Sequence, residues 1–266
     1  MSQILLTRRE GAVLVLSNNN VAARNALSFE FYTAVTQALQ EAAQDPSIGA
    51  IVLTGEGGHF CSGGDLRQLV KRRELPVAER RARLEGLHDL IRTVRDCPKP
   101  VIAAVEGAAA GAGLSLAMAC DMLVAAKDAQ FSVAYVKVGL TPDGGATAFL
   151  AEFVSRQVLT ELCLTGAPLS GERMHALGAV NRLVASGCAL EAALALAADI
   201  SKGPPHAMGR IKHLCRLAMR HSLNEQLELE AQFMVEAMAS DESLEGINAF
   251  LNKRPPNYTS RRKDNA

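Results

Sequence analysis

Two stretches of tiny residues, each between a strand-like run and a helix start, are the first places where this sequence could do chemistry. One is His59-Phe-Cys-Ser-Gly-Gly-Asp-Leu66, after an apolar run that ends at Thr54; the other is Gly107-Ala-Ala-Ala-Gly-Ala-Gly113, before a helical segment beginning at Leu114. Small residues at a helix start leave backbone N–H groups bare, and the helix dipole reinforces them, so such a turn can hold a developing anion. The same turn also serves tight strand-to-helix packing or a phosphate site. A third feature is the carboxylate of Asp143 on the turn Leu140-Thr-Pro-Asp-Gly-Gly145. On turn chemistry alone, a carboxylate that opens a helix is an N-cap.

The elements that must position these residues read from periodicity. Ala12-Val-Leu-Val-Leu16 is a short buried strand; Ser28 caps a helix with apolar Phe31, Val35, Leu39 and Ala42, stopped at Asp45-Pro46; and Gly49 to Thr54 is the next strand. This alternation predicts βαβ units and a mostly parallel sheet. The spacing predicts a surface helix over Val77–Asp96, strands at Val101–Val105 and Met122–Ala126, a helix over Leu114–Cys120, and one helix holding Phe149, Phe153 and Leu159. Val70 to Arg83 reads as loop-like and charged. Past Gly203-Pro-Pro205 strand signals vanish, and helices are expected at His206–Met219, Asn224–Met238 and Glu242–Leu251. The expected organisation is a core over 1–204 and a helical region over 205–266.

Composition excludes several function classes. Lys and Arg number 28 against 28 Asp and Glu, so the field that a nucleic-acid binder uses to recruit phosphates is missing. Aromatics are 4% and Trp is absent, which argues against base-stacking platforms. The six cysteines are scattered, with no C-x-x-C pair and no His-rich neighbour, so neither a zinc site nor a disulfide framework is expected, and a reducing cytoplasm suits them. Met1 to Arg9 lacks the apolar run of a signal peptide, and Val101 to Ala117 is interrupted by Glu106 and glycines, so no membrane segment is expected.

The two small-residue stretches, in this order and spacing, resemble the enoyl-CoA hydratase/isomerase (crotonase) superfamily. The halves that carry the resemblance are Phe60-Cys-Ser-Gly-Gly-Asp-Leu66 and the run from Val105-Glu-Gly-Ala to Cys120-Asp121; Arg24-Asn-Ala-Leu27, Gly139 to Gly145, Leu164-Thr-Gly166, Leu177 to Asn181 and Phe250 to Pro256 extend it over nearly the whole chain. The resemblance implies an α/β fold, a crotonase-like spiral of ββα units carrying a C-terminal helical trimerisation region, as a homotrimer or a hexamer of paired trimers. It implies an acyl-CoA thioester substrate, with no cofactor beyond the CoA moiety, and places the oxyanion-hole donors at the Gly64 and Ala112 amides. It puts CoA along Ala23, Arg24, Ser62, Gly63, Asp65 and Leu66, with Phe250 and Lys253 reaching it from the tail, from a neighbouring subunit or their own. Arg24 and Lys253 read equally well as solvated surface charges.

Hydration of an enoyl thioester calls for two carboxylates, one to activate water and one to manage the proton at the α-carbon. The family's hydratases carry glutamates at the positions that here match Ser115 and Tyr135. What remains is Asp143, whose position matches the aspartate of isomerases resembling the phenylacetate-pathway epoxyacyl-CoA isomerase. One carboxylate suffices to move a double bond or open a ring, because one base can take a proton from one carbon and return it to another. His88 matches a histidine of the family's aroyl-CoA dehalogenase, and also reads as a helix residue in a pocket wall. Ser115 and Tyr135 are expected in the substrate pocket, either bonding substrate or water or filling space. The expected activity is therefore a double-bond or ring-shifting isomerase; an atypical hydratase and a non-catalytic CoA-binding member are the alternatives.

Overall fold

The structure, a computed structural model, describes residues 3–258. Residues 1–2 and 259–266, the latter closing the expected helical region, lie outside the described residues.

An antiparallel pair opens the chain, β1 (Leu5–Glu10) and β2 (Val13–Asn18). Helix α1 (Phe29–Gln44) follows, its first turn held by the Ser28 hydroxyl, which accepts from the Phe31 N–H. Then come β3 (Ala50–Gly55), α2 (Leu66–Arg72), α3 (Val77–Asp96), β4 (Val101–Val105), β5 (Ala108–Ala110) and α4 (Ala112–Ala119). The next stretch holds β6 (Met122–Ala126), β7 (Gln130–Ser132), α5 (Ala146–Leu150), α6 (Arg156–Thr165), β8 (Leu169–Ser170), α7 (Gly171–Ala176), β9 (Arg182–Val184) and α8 (Ala189–Ile200). Three helices end the described chain: α9 (Pro205–Leu217), α10 (Leu223–Met238) and α11 (Asp241–Leu251).

The strands form a six-stranded sheet, β1-β2-β3-β4-β6-β9, parallel from β2 onward, and a three-stranded sheet, β5-β7-β8. Each turn of chain adds a strand to the large sheet, then a short partner in the small one, then a helix. Thus β3 leads to Cys61, which bridges to Ala109 of β5, and on to α2; β4 leads to β5 and α4; β6 leads to β7 and α5. This is the crotonase-like spiral of ββα units with a helical C-terminal region. Period-two burial explains the layering: Val13, Val15, Ala50, Val52, Ile102, Ala104 and Val124 face Ala189, Ala193 and Ala197 of α8, while Leu16, Ile51, Leu53, Ala103 and Val105 face the core under α1 and α3. Alanines four apart on α8 let that helix approach the sheet closely.

Three local readings are corrected. The Gly107–Gly113 run is not all turn: its three alanines form β5, because backbone pairing with β7 needs no side chains. The single helix expected around Phe149, Phe153 and Leu159 is two, α5 and α6, separated at residues 151–155. Val70 to Arg83 is mostly helical, the end of α2 and the start of α3 around a short connection. No helix among the described residues is long and apolar enough to cross a membrane.

Candidate active site

The two small-residue stretches meet. Gly63 has φ of +98°, and a Cβ there would fall 2.7 Å from the Ala110 carbonyl oxygen and 3.7 Å from the Ala112 nitrogen; a Cβ on Gly113 would fall 2.5 Å from the Cys61 carbonyl oxygen. Only glycine fits at 63, both for its backbone angle and for this close approach. Gly64 itself has room, its added Cβ meeting only Leu69 at 3.5 Å. Ala112 is the first residue of α4, behind the N-cap Gly111 at φ 52°. Neither the Gly64 nor the Ala112 N–H donates to a protein acceptor among the described residues. Two unengaged amides thus sit on adjacent segments, one at the start of a helix, an arrangement able to stabilise an oxyanion.

The loop before them is tied to the same place. The Ser62 hydroxyl donates to the Ala23 carbonyl at 3.0 Å, the Ser62 N–H to the Arg24 carbonyl at 3.0 Å, and the Leu27 N–H to the Gly63 carbonyl at 2.8 Å. Arg24 is exposed and left-handed at φ 49°, as is the buried Asn25 at φ 59°, whose amide donates to the carbonyls of Glu56 and His59 at 2.8 and 2.6 Å. Asn25 was singled out only as part of a motif, yet it fixes this turn. Asp65, expected along CoA, uses its carboxylate as the N-cap of α2, accepting from the Arg67 and Gln68 amides. Leu66 opens that helix, exposed. Phe250, 83% exposed, lies in the last turn of α11 and Lys253, at φ 51°, just beyond it, and no hydrogen bond or ion pair within the described chain links them to residues 23–24 or 62–66.

Asp143 gathers the remaining candidates. Its Oδ1 accepts from the Tyr135 hydroxyl at 2.7 Å, and its backbone carbonyl accepts from the Ser115 hydroxyl at 2.9 Å and from Tyr135 at 3.3 Å. Ser115, fully buried, lies one turn along α4 from Ala112, and the Tyr135 ring lies against Gly111, so Asp143 is built onto the same helix start as the free amide. The hydroxyls of Ser115 and Tyr135, expected to face substrate, are therefore engaged with Asp143. Nor is Asp143 a helix cap: α5 has Gly145 at its N-cap and no side-chain cap bond. Burial pushes the Asp143 pKa up, against the Tyr135 hydrogen bond and the His88 charge, which pull it down. Burial, and then the Asp143 charge, raises the Tyr135 phenol too, so Tyr135 stays a proton donor. His88 sits on α3 with Glu85 3.6 Å away.

A cavity of about 460 Å³ begins at Gly144 and Gly145, beside Asp143, and runs along α3 from His88 toward α9. Neither Gly64 nor Ala112 lines it. It was not anticipated, because its far wall comes from α9, more than a hundred residues along the chain from His88. Among the described residues, no group of three or more His, Cys, Asp or Glu side chains is arranged to hold a metal ion.

The profile of the enoyl-CoA hydratase/isomerase family matches residues 8–261. This chain belongs to the enoyl-CoA hydratase/isomerase family. It is 33% identical over 262 residues to the 1,2-epoxyphenylacetyl-CoA isomerase of Escherichia coli (strain K12), covering 98% of this chain and 100% of that protein. It is 32% identical over 261 residues to the 2,3-dehydroadipyl-CoA hydratase of the same organism, again covering 98% and 100%. A solved enoyl-CoA hydratase from Polaromonas sp. JS666 superposes with a TM-score of 0.92 at 43% identity, over 95% of this chain and 98% of that one. Enoyl-CoA hydratase/isomerase family membership makes the protein an acyl-CoA enzyme, and its relatives include isomerases and hydratases alike.

Proposed function

We propose that this enzyme is an enoyl-CoA isomerase in which Asp143 carries one proton between two carbons of the acyl group. The observation that carries the reading is the state of that carboxylate: Oδ1 is held by Tyr135, and Oδ2 has no protein hydrogen bond among the described residues. It stands beside the helix start that presents the Ala112 amide. Glu85 and Glu106 are engaged elsewhere, with Arg81 and Arg92 and with the amides of Gly187 and Ala189. The paired carboxylates that hydration calls for are replaced by Ser115 and Tyr135, both bonded to Asp143.

In this reaction Asp143 takes the proton from the carbon between the thioester and the double bond of a 3-enoyl-CoA. The electron pair moves into the thioester carbonyl, and the oxygen of the resulting dienolate accepts from the Gly64 and Ala112 amides, each worth about 2.7–4 kcal/mol in the transition state. The same carboxyl returns the proton at the far end of the dienolate, so the double bond emerges conjugated with the thioester. A raised pKa suits a group that must first accept and then give up a proton. CoA lies along residues 23–24 and 62–66, and the chemistry asks for no other cofactor. The exposed apolar side chains of α10 and α11, Leu223, Met234, Met238, Ile247 and Phe250 among them, are the surface through which a trimer or hexamer forms.

The test is the rate at which the purified protein converts a 3-enoyl-CoA into its conjugated isomer. Asp143→Asn is expected to lower it by about 10²–10⁴-fold. Full activity in that variant, or faster hydration of a 2-enoyl-CoA than isomerisation by the wild type, overturns the reading.

A further inference from the structure

We propose that the acyl group taken by this enzyme ends in a carboxylate, bound at the far end of the cavity by Arg95 and Arg220. The inference rests on the reading that the reacting carbons lie at Asp143. The cavity starts at Gly144, the residue after Asp143, and at His88, and α3 carries its wall onward: Arg95 lies two turns past His88, about 10 Å along the helix axis. Ile91, Ala148 and Leu217 give the lining apolar surface on the way, beside Arg92. At the far end it becomes cationic.

The charges at that end do not cancel. Asp96 lines the cavity and is paired with Arg216, while Arg92 is occupied by Asp89 at 2.7 Å and Glu85 at 3.4 Å. Arg95 and Arg220 have no carboxylate within ion-pair distance among the described residues. The Arg95 guanidinium lies over the Phe149 ring, 5.0 Å from its centroid, a cation–π contact that leaves its N–H groups without a carboxylate. Burial, then the Arg220 charge, lowers the Arg95 pKa; Arg216 adds to this, and Glu152 and Asp121 offset part of it. A methyl-terminated chain would leave the half-buried Arg95 cation, beside the exposed Arg220, without a counter-charge. A carboxylate accepts from two guanidinium N–H groups at once and removes the mutual repulsion. The CoA phosphates are a poor match, because none of residues 23–24 or 62–66 lines this cavity.

Binding of saturated thioesters, which cannot be isomerised, provides the test: hexanoyl- and octanoyl-CoA against their ω-carboxylated counterparts, by calorimetric titration of the intact enzyme. The wild type is expected to bind at least one carboxylated member about ten-fold tighter than its methyl-terminated partner, and the Arg95→Gln, Arg220→Gln double variant to bring each pair within about two-fold. Arg95→Lys, which keeps the charge, is expected to keep a preference. Equal or tighter binding of both methyl-terminated thioesters by the wild type, or an undiminished preference in the double variant, overturns the inference. No preference in the wild type beside an intact double-bond shift sinks this inference alone; a preference in a wild type that shifts no double bond sinks the isomerase reading alone.

Discussion

In α4 every residue from Ala112 to Ala119 is buried, whereas α10, also rich in apolar side chains, buries none. The first helix is enclosed by elements of its own chain: β5 before it, Tyr135 and Ser115 joined to Asp143 around it, and Cys61 against Gly113. The second leaves Leu223 73%, Val235 66% and Met238 63% exposed. Between them stands α9, which reaches the core through polar groups. Its Lys212 contacts Asp121 at 2.7 Å and donates to the Lys99 carbonyl at 3.1 Å, and Arg216 pairs with Asp96. The contrast teaches that the groups around Asp143 are positioned by contacts within one chain, while the apolar side chains of α10 stay exposed in it.

The strongest way to break that comparison is to cut the tie between tail and core. The Lys212 and Asp121 side chains are 10% and 22% exposed, so Lys212→Met strands a carboxylate that keeps only the Val101 N–H, at an expected cost of about 3 kcal/mol in urea unfolding. Burial already raises the folded pKa of Asp121, so this carboxylate favours the fold when protonated and gives that stability up as pH rises through its folded pKa. The deficit of the variant should accordingly shrink on acidification; a deficit independent of pH would assign it to lost packing.

Within the core a smaller effect is expected. Ser115→Ala removes the donor to the Asp143 carbonyl and should cost about 1 kcal/mol of stability, with a fall in kcat that exceeds any change in KM. Tyr135→Phe should act on pH rather than on the fold. Its hydrogen bond holds the Asp143 pKa down, so removing it raises that pKa, and the acid limb of kcat/KM, which needs the ionised carboxylate, should move to higher pH. An unmoved limb would mean that another group limits the rate. The least effect on the single chain is expected from Leu227→Glu with Met234→Glu on α10: unchanged secondary structure by circular dichroism, but a smaller sedimenting species. An unchanged mass would remove the proposed role of that surface in assembly.

Much of this was legible from residue order alone. Period-two and helical spacing set β4, β6 and α3 at their observed ends, and the Ser28 and Asp45 signals bounded α1. The long helices after Gly203 were visible for the same reason: burial pattern and capping are local properties. Where local signals conflict, the reading failed. Ala108–Ala110 looked like a turn because small residues carry no β signal, and β5 exists only because β7 is there to pair with it.

The residues of the site were also written in the order of the chain, but not their partnerships. The family resemblance singled out Gly64, Ala112, Ser115, Tyr135 and Asp143; nothing in it told that Tyr135 and Ser115 turn their hydroxyls to Asp143, or that Gly63 packs so closely on Ala110 that no side chain fits. Those facts depend on contacts between turns of the spiral, as does the cavity that sets Arg95 of α3 against Arg216 of α9. Sequence determines which groups are available and which short segments hold them, because backbone preference and periodicity act over a few residues. Only packing decides which groups meet, and hence which carboxylate keeps an oxygen free of protein hydrogen bonds.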